Sequence, residues 1–126
     1  MSKKILVMPD GNFLAHTSRP LEIAKLLRKI GYDIVFAGEG NYMDLPRKNG
    51  FRIFTHRTSD PEHIIATARS GRVNYYNYDQ IKYFVEEELK LFEKIKPDLV
   101  LADFRLSINI ACELASIPLA VILNAS

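Results

Sequence analysis

The sequence predicts an α/β fold, a Rossmann-like three-layer α/β/α domain built on a parallel sheet. Short apolar runs alternate with longer segments of helical periodicity along the 126 residues, which is typical of a parallel sheet with helices on both faces. The first run, Ile5 to Met8, is continuously apolar, as expected for a strand that is covered on both faces. Right-handed crossovers then favour about five strands in the order 3-2-1-4-5. The length suits a single domain over residues 1–126.

The first half of the chain contains three predicted strands and two predicted helices. The strands are expected at residues 5–8, 33–37 and 51–55, and the helices at about 18–30 and 41–49. A loop from Pro9 to about Thr17 precedes the first helix, which Thr17 or Ser18 is predicted to cap. Pro20 suits the first turn of that helix, and Gly31 suits its C-terminal end.

The second half is dominated by a long amphipathic helix. We expect a short helix at about 61–69, a loop at 71–77, the long helix at 78–95, a strand at 99–102, a helix at 107–115 and a strand at 118–123. The long helix carries an apolar inner stripe, whereas its run Glu86–Glu88 is interpreted as a solvated face. Ser107 is the predicted cap of the helix that follows the fourth strand.

The composition excludes several classes of protein. The hydrophobic content is 48% and the charged content is 25%, values that are typical of a globular domain. The net charge of +2 is too small to indicate nucleic acid as a partner. The single cysteine, Cys112, cannot form an intrachain disulfide and is interpreted as a small core residue. Because the first apolar run is too short for a signal peptide or a membrane span, we expect a cytoplasmic protein, with peripheral membrane contact left open.

Two loops at the carboxyl ends of neighbouring strands carry the residues best suited to catalysis. His16 lies in the loop after the first strand, just ahead of the first helix, and Asp103 directly follows the fourth strand. In the predicted order these strands are adjacent, and their carboxyl ends frame the crevice where ligands bind. An imidazole and a carboxylate are the groups needed for a general base and for the residue that orients it. The alternatives are a loop histidine hydrogen-bonded to the backbone, and an aspartate that caps a helix or pairs with Arg105.

The same region supplies candidate ligand-binding residues but lacks the known nucleotide motifs. The candidates for substrate binding are Asn12, Arg19, His56, Tyr75 and Arg105. Gly11 is the only glycine in the first loop, so neither the dinucleotide fingerprint nor a P-loop is present. The three histidines do not have the spacing of metal ligands. We therefore predict no metal site and no bound cofactor.

Three segments of the chain carry a pattern known from one family. They are AHTSRPLEIA at 15–24 with LRKIGYDI at 27–34, NGFRI at 49–53, and PDLVLADFRLS at 97–107 with Ile117-Pro118 beyond. Through these segments the chain resembles the N-terminal, acceptor-binding half of a GT-B glycosyltransferase of the macroside/UDP-glycosyltransferase-like branch. The resemblance extends over nearly the whole chain. Ala15 stands where that family usually has a glycine before the histidine.

The resemblance implies a role for both catalytic candidates. The family's histidine after the first strand is the general base that deprotonates the acceptor, and His16 matches it. In many members an aspartate after the fourth strand pairs with that histidine, and Asp103 matches it. Such enzymes transfer a sugar from a nucleotide-sugar donor, which is a co-substrate, usually without a metal.

The resemblance also implies partners. The family's C-terminal donor-binding lobe is absent from residues 1–126, so we expect a donor-binding subunit or a homo-oligomer, together with a small-molecule or lipid acceptor. Without that lobe the charge on the leaving diphosphate would go largely unstabilised. We therefore expect no transfer by the chain alone.

Two other interpretations fit the same pattern of strands and helices. One is a non-catalytic module of the same fold that binds a ligand or a partner chain, in which His16 has no catalytic role. The other is an unrelated flavodoxin-like domain, since fold does not fix function. Such a domain would need a phosphate-binding first loop, and residues 10–16 do not resemble one.

Overall fold

The computed structural model describes residues 3–56, 78–103 and 106–122. Its elements follow one another as β1 (Lys4–Met8), α1 (Ala15–Ile30), β2 (Asp33–Gly38), a 3₁₀ turn (Asn41–Met43), α2 (Asp44–Lys48), β3 (Arg52–Thr55), α3 (Tyr78–Ile95), β4 (Leu99–Asp103), α4 (Leu106–Ala115) and β5 (Leu119–Ile122). The five strands form one sheet in the order β3-β2-β1-β4-β5, and every neighbouring pair is parallel. The predicted fold class and strand order are confirmed. The helix expected at about 61–69 lies outside the described residues.

The central strand β1 is buried on both faces. Its side chains alternate between the two faces of the sheet. Leu6 and Met8 join a core formed with α3 and α4, where Cys112 is buried as predicted. Ile5 and Val7 join a second core formed with α1. These four side chains are at most 2% exposed, which is why residues 5–8 of β1 form a continuous apolar run in the sequence.

Helix α1 begins earlier than its capping pattern predicts. Its first residue is Ala15, and the capping position is held by Leu14, whose side chain makes no capping hydrogen bond. Thr17 and Ser18 are therefore inside the helix, and the prediction that one of them caps it is wrong. Pro20 lies within the helix rather than in its first turn.

The physical reason for the early start is the hydroxyl of Thr17. Its Oγ1 donates to the backbone carbonyls of Asp10, at 3.0 Å, and Phe13, at 2.9 Å. The side chain thus draws the loop against the helix instead of capping a later turn. The C-terminal end agrees with the sequence, because Gly31 has a φ of 120° and its N–H donates to the carbonyls of Leu27 and Arg28.

The interpretation of Glu86–Glu88 as a solvated face is wrong for one residue. Glu88 is fully buried, in line with Phe84, Val85 and Leu91 on the inner stripe of α3. Residues three, four and seven apart share one face of a helix, so the position of Glu88 follows from its spacing to this stripe.

Helix α4 also begins one residue earlier than expected. It starts at Leu106, so Ser107 lies in the first turn and is not the cap. The Ser107 hydroxyl donates to Oε1 of Glu88 at 2.6 Å in a buried position. This hydroxyl therefore bonds to a carboxyl group of another helix instead of forming a local capping bond.

The two edges of the sheet differ in chemistry. At the β3 edge, the guanidinium carbon of Arg52 lies 4.7 Å from the ring centroid of Phe54, and Nζ of Lys94 lies 5.0 Å from it. At the other edge β5 consists of four apolar residues, 119–122. Charged side chains therefore cover one edge of the sheet, whereas the sequence of the other edge strand holds none.

Candidate functional site

The site is built where β1 and β4 end side by side. The two strands are paired up to Met8 and Ala102. Asp103 is the last residue of β4, and His16 is the second residue of α1. The structure brings their side chains into contact, with Nδ1 of His16 facing Oδ2 of Asp103. The two residues are 87 positions apart in the sequence, so the parallel pairing of the strands is what joins them.

The pair has a buried end and an accessible end. The side chain of Asp103 is 12% exposed, whereas that of His16 is 34% exposed. A carboxylate that accepts the Nδ1 proton fixes the tautomer and the orientation of an imidazole. The second ring nitrogen, Nε2, is then the one that can take a proton from a ligand. This is the arrangement of a general base and its orienting residue.

The loop between β1 and α1 is held by its own polar groups. The backbone N–H of Asn12 donates to Oδ1 of Asp10 at 3.1 Å, and its side-chain Nδ2 donates to the same oxygen at 3.2 Å. The carbonyl of Asp10 accepts from the Phe13 N–H and from the buried Thr17 hydroxyl. Thr17 is thus a residue of the site that sequence reasoning assigned to capping alone.

A second loop supports the first. Gly11 and Gly40 approach so closely that a Cβ on Gly40 would lie 2.4 Å from the carbonyl carbon of Gly11. The carbonyl of Gly11 accepts from the N–H of Tyr42 at 3.0 Å. The loop that leads to His16 is therefore packed against the loop that follows β2.

Apolar side chains close to His16 and Asp103 in the sequence are exposed, and one of them contacts the pair. Phe13 is 49% exposed and Leu14 is 53% exposed at the start of α1, and Leu106 is 51% exposed at the start of α4. The Phe13 ring lies edge-on to the imidazole of His16, with 5.6 Å between the ring centroids. Partly exposed apolar groups beside a polar pair suit a ligand with an apolar body and a hydroxyl.

The structure separates the remaining substrate-binding candidates. Asn12 lies in the loop described above, and Arg19 is exposed on the second turn of α1. His56 is buried just after β3, and its backbone N–H donates to the carbonyl of Gly38 at 3.2 Å. Tyr75 and Arg105 lie outside the described residues. A role for each of the five in binding substrate stays a prediction.

The residues that the structure describes include neither a metal-binding cluster nor a membrane-spanning helix. No cluster of three or more histidine, cysteine, aspartate or glutamate side chains there could hold a metal ion. Within the same ranges, no helix has both the length and the apolar character needed to cross a membrane.

Curated relatives of the chain are glycosyltransferases. The chain is 32% identical over 123 residues to a PGL/p-HBAD biosynthesis rhamnosyltransferase of Mycobacterium bovis, an alignment that covers 98% of this chain and 27% of the relative. It is 29% identical over 123 residues to an inactive PGL/p-HBAD biosynthesis glycosyltransferase of the same species, with 98% and 33% covered. The chain thus spans between a quarter and a third of the length of these relatives. No model of a known protein family matches it.

Solved structures with the same fold include glycosyltransferases. The spinosyn forosaminyltransferase SpnP superimposes with a TM-score of 0.67 at 16% identity, over 96% of this chain and 31% of that one. The C-terminal domain of a hydrogenase from Pyrococcus furiosus has a TM-score of 0.65 at 15% identity, over 97% of this chain and 94% of that one. At these identities the structural likeness shows the fold alone. The curated relatives are glycosyltransferases, so they favour a relation to the glycosyltransferases over one to the hydrogenase domain. The chain is therefore similar over nearly its whole length to part of larger glycosyltransferases, and it shares its fold with glycosyltransferases of known structure.

Proposed function

We propose that the chain is the acceptor-binding part of a glycosyltransferase that moves a sugar from a nucleotide-sugar donor to an acceptor hydroxyl. The observation that carries the proposal is the contact between His16 and Asp103 at the carboxyl ends of β1 and β4. In open α/β sheets ligands bind at this edge, at the point where the strand order reverses. Here β1 lies between β2 and β4, so the pair sits at that point.

The proposed chemistry follows from the geometry of the pair. Nε2 of His16 removes the proton of the acceptor hydroxyl as its oxygen attacks the anomeric carbon of the donor sugar. The bond from that carbon to the diphosphate oxygen breaks, and the nucleoside diphosphate leaves with the bonding electrons. Asp103 stabilises the imidazolium that forms, because its carboxylate lies against Nδ1.

The surface around the pair supports an acceptor with an apolar body. Phe13, which contacts His16, and Leu14 and Leu106, which begin or precede the two helices of the site, are each about half exposed, and burying each on binding would contribute about 1 kcal/mol. A phenol or a long-chain alcohol would place its hydroxyl at His16 and its apolar part against these side chains. The acceptor is thus a hydrophobic small molecule or a lipid.

The donor would be bound largely by residues outside this chain. We propose that another part of a longer protein, or a separate donor-binding subunit, provides that surface and stabilises the leaving diphosphate. A soluble cytoplasmic enzyme with peripheral membrane contact fits a lipid acceptor. The chain alone is then expected to bind an acceptor and to transfer no sugar.

The test is a transfer assay on the assembled enzyme. The tagged chain is recovered from its source cells, its partners are identified by mass spectrometry, and the assembly is assayed with nucleotide-sugar donors and a phenolic acceptor. His16→Asn should lower kcat/KM by about 10²- to 10⁴-fold, the usual contribution of a general base. Lys29→Asn, an exposed change at the far end of α1, should leave kcat/KM unchanged. Full activity of the His16→Asn variant would contradict the proposal.

A non-catalytic module of the same fold is the second candidate. The observation that favours it is the relative described as inactive, to which the chain is 29% identical over nearly its whole length. In that case the chain would bind a ligand or a partner, and His16→Asn would not affect any transfer measured in its presence. Recovery of the stable chain without a donor-binding partner would support this second function.

A further inference from the structure

A buried carboxyl group lies behind the site and is not used in the proposed chemistry. Glu88 of α3 is 0% exposed and lies on the same stripe as the core residues Val85 and Leu91. Burying a carboxyl group costs free energy, and apolar side chains of similar volume often replace buried ionisable groups without loss of stability. Stability alone therefore does not explain a glutamate at this position, and its contacts indicate what else it does.

Its contact leads to the first turn of α4. The hydroxyl of Ser107 donates to Oε1 of Glu88 at 2.6 Å, and Ser107 itself is 6% exposed. The bond joins two helices on the same face of the sheet and is shielded from water, which makes it more costly to break than an exposed one. It fixes Ser107 relative to α3.

Asp103 lies where the pairing between β4 and β1 ends, so this pairing does not hold it in place. On the side of β1, the register of β4 stops at Met8 and Ala102, so Asp103 lies beyond the last paired residue. On the other side Asp103 is paired with Ile122. Among the described residues that follow Asp103, Ser107 is the first that a buried side-chain hydrogen bond holds in place.

We propose that Glu88 is a positioning residue of the His16–Asp103 pair and that it acts through Ser107. By holding the first turn of α4, a helix that begins three residues after Asp103, Glu88 keeps the carboxylate against Nδ1 of His16. The proposal rests on the proposed function for the purpose of the pair, but its test measures the pair itself. A failure of one can therefore be distinguished from a failure of the other.

The experiment observes the imidazole of His16 by NMR in the chain labelled with ¹⁵N. A proton shared between Nδ1 and a carboxylate is strongly deshielded, and the signal is assigned by its loss in His16→Asn and in Asp103→Asn. We expect Ser107→Ala and Glu88→Leu to shift this signal upfield or abolish it. Glu88→Gln should preserve it, because the amide oxygen still accepts from Ser107. Glu86→Leu, the same exchange at an exposed position of α3, is the matched control and should change nothing.

The outcomes distinguish positioning from a purely structural role. If Ser107→Ala and Glu88→Leu lower the Tm but leave the His16 signal at its wild-type position, the proposal is wrong. The Ser107→Ala variant removes one hydroxyl and keeps the helix-forming backbone, so it decides the question even if Glu88→Leu does not fold. Loss of the signal in both variants, with retention in Glu88→Gln, supports the proposal whether or not the assembled enzyme transfers sugar.

Discussion

Gly40 lies against the backbone of Gly11, and this contact joins the loop that leads to His16 to the loop that follows β2. A Cβ on Gly40 would come within 2.4 Å of the carbonyl carbon of Gly11, and the φ of Gly40 is 116°. Gly31 has a similar φ of 120°, but no atom of the described residues, apart from its neighbours in the chain, lies within 4 Å of the position of its Cβ. The two glycines therefore separate the cost of backbone strain from the cost of close packing.

The first prediction compares alanine at these two glycines. Gly31→Ala should lower the free energy of unfolding by about 1 kcal/mol, because it meets only the unfavourable φ. Gly40→Ala should lower it by about 3 kcal/mol or more, since the methyl group also displaces the Gly11 loop. Urea denaturation of both variants measures the difference. Equal losses would show that the loop contact contributes nothing.

The second prediction concerns the buried hydroxyl of Thr17. Thr17→Val keeps the shape of the side chain but removes the donor to the carbonyls of Asp10 and Phe13, so it should cost about 1–3 kcal/mol. Thr17→Ser keeps the hydroxyl and loses one methyl group, at about 1 kcal/mol. Chemical denaturation compares them, and the NMR signals of Phe13 should move in the valine variant alone. Wild-type stability of Thr17→Val would exclude this role.

The third prediction concerns a contact between α1 and the turn before β3. Nη1 of Arg28 donates to the carbonyl of Asn49 at 2.8 Å, and its guanidinium carbon lies 3.9 Å from the ring centroid of Phe51. Arg28→Lys should cost about 0.5–1 kcal/mol, because an ammonium group cannot stack and donate in the same geometry. Arg47→Lys, in an exposed ion pair with Asp44, should change stability by less than about 0.5 kcal/mol. Thermal unfolding of the two variants provides the comparison.

The fourth prediction concerns Asp103 in the assembled enzyme. Asp103→Asn removes the charge that stabilises the imidazolium of His16, so kcat/KM should fall by about 10²- to 10⁴-fold. If the two residues act as a unit, the double variant with His16→Asn should be no slower than the slower single variant. Asp33→Asn, at the opposite end of the sheet, is the control. Strictly additive losses would mean that the two side chains act independently.

The fold was predictable because its signal is repeated in every strand. The apolar runs at β1, β2 and β4 each indicate a strand covered on both faces, and Gly31 marks the end of α1. The predicted contact region was also accessible to sequence reasoning, since topology alone brings the ends of β1 and β4 together. These conclusions depend on local patterns that many residues share.

The details of the site were not predictable in the same way. Thr17 looked like a helix cap because its local context favours one, but its hydroxyl bonds to Asp10, seven residues earlier. Glu88 looked like part of a charged run, but its partner Ser107 lies 19 residues away on another helix. A bond between distant residues leaves no periodic signal in one sequence. For Glu88 the spacing to the apolar stripe of α3 was the available clue.

The two edge strands, β3 and β5, differ in the charged side chains that oppose pairing with another strand. A strand approaching β3 would have to displace Arg52 and Lys94 from the face of Phe54, and charged edges of this kind discourage pairing between chains. The other edge strand, β5, carries no charged side chain among its residues Leu119–Ile122. Among the described strands, β5 is therefore the edge at which we expect a further strand to pair.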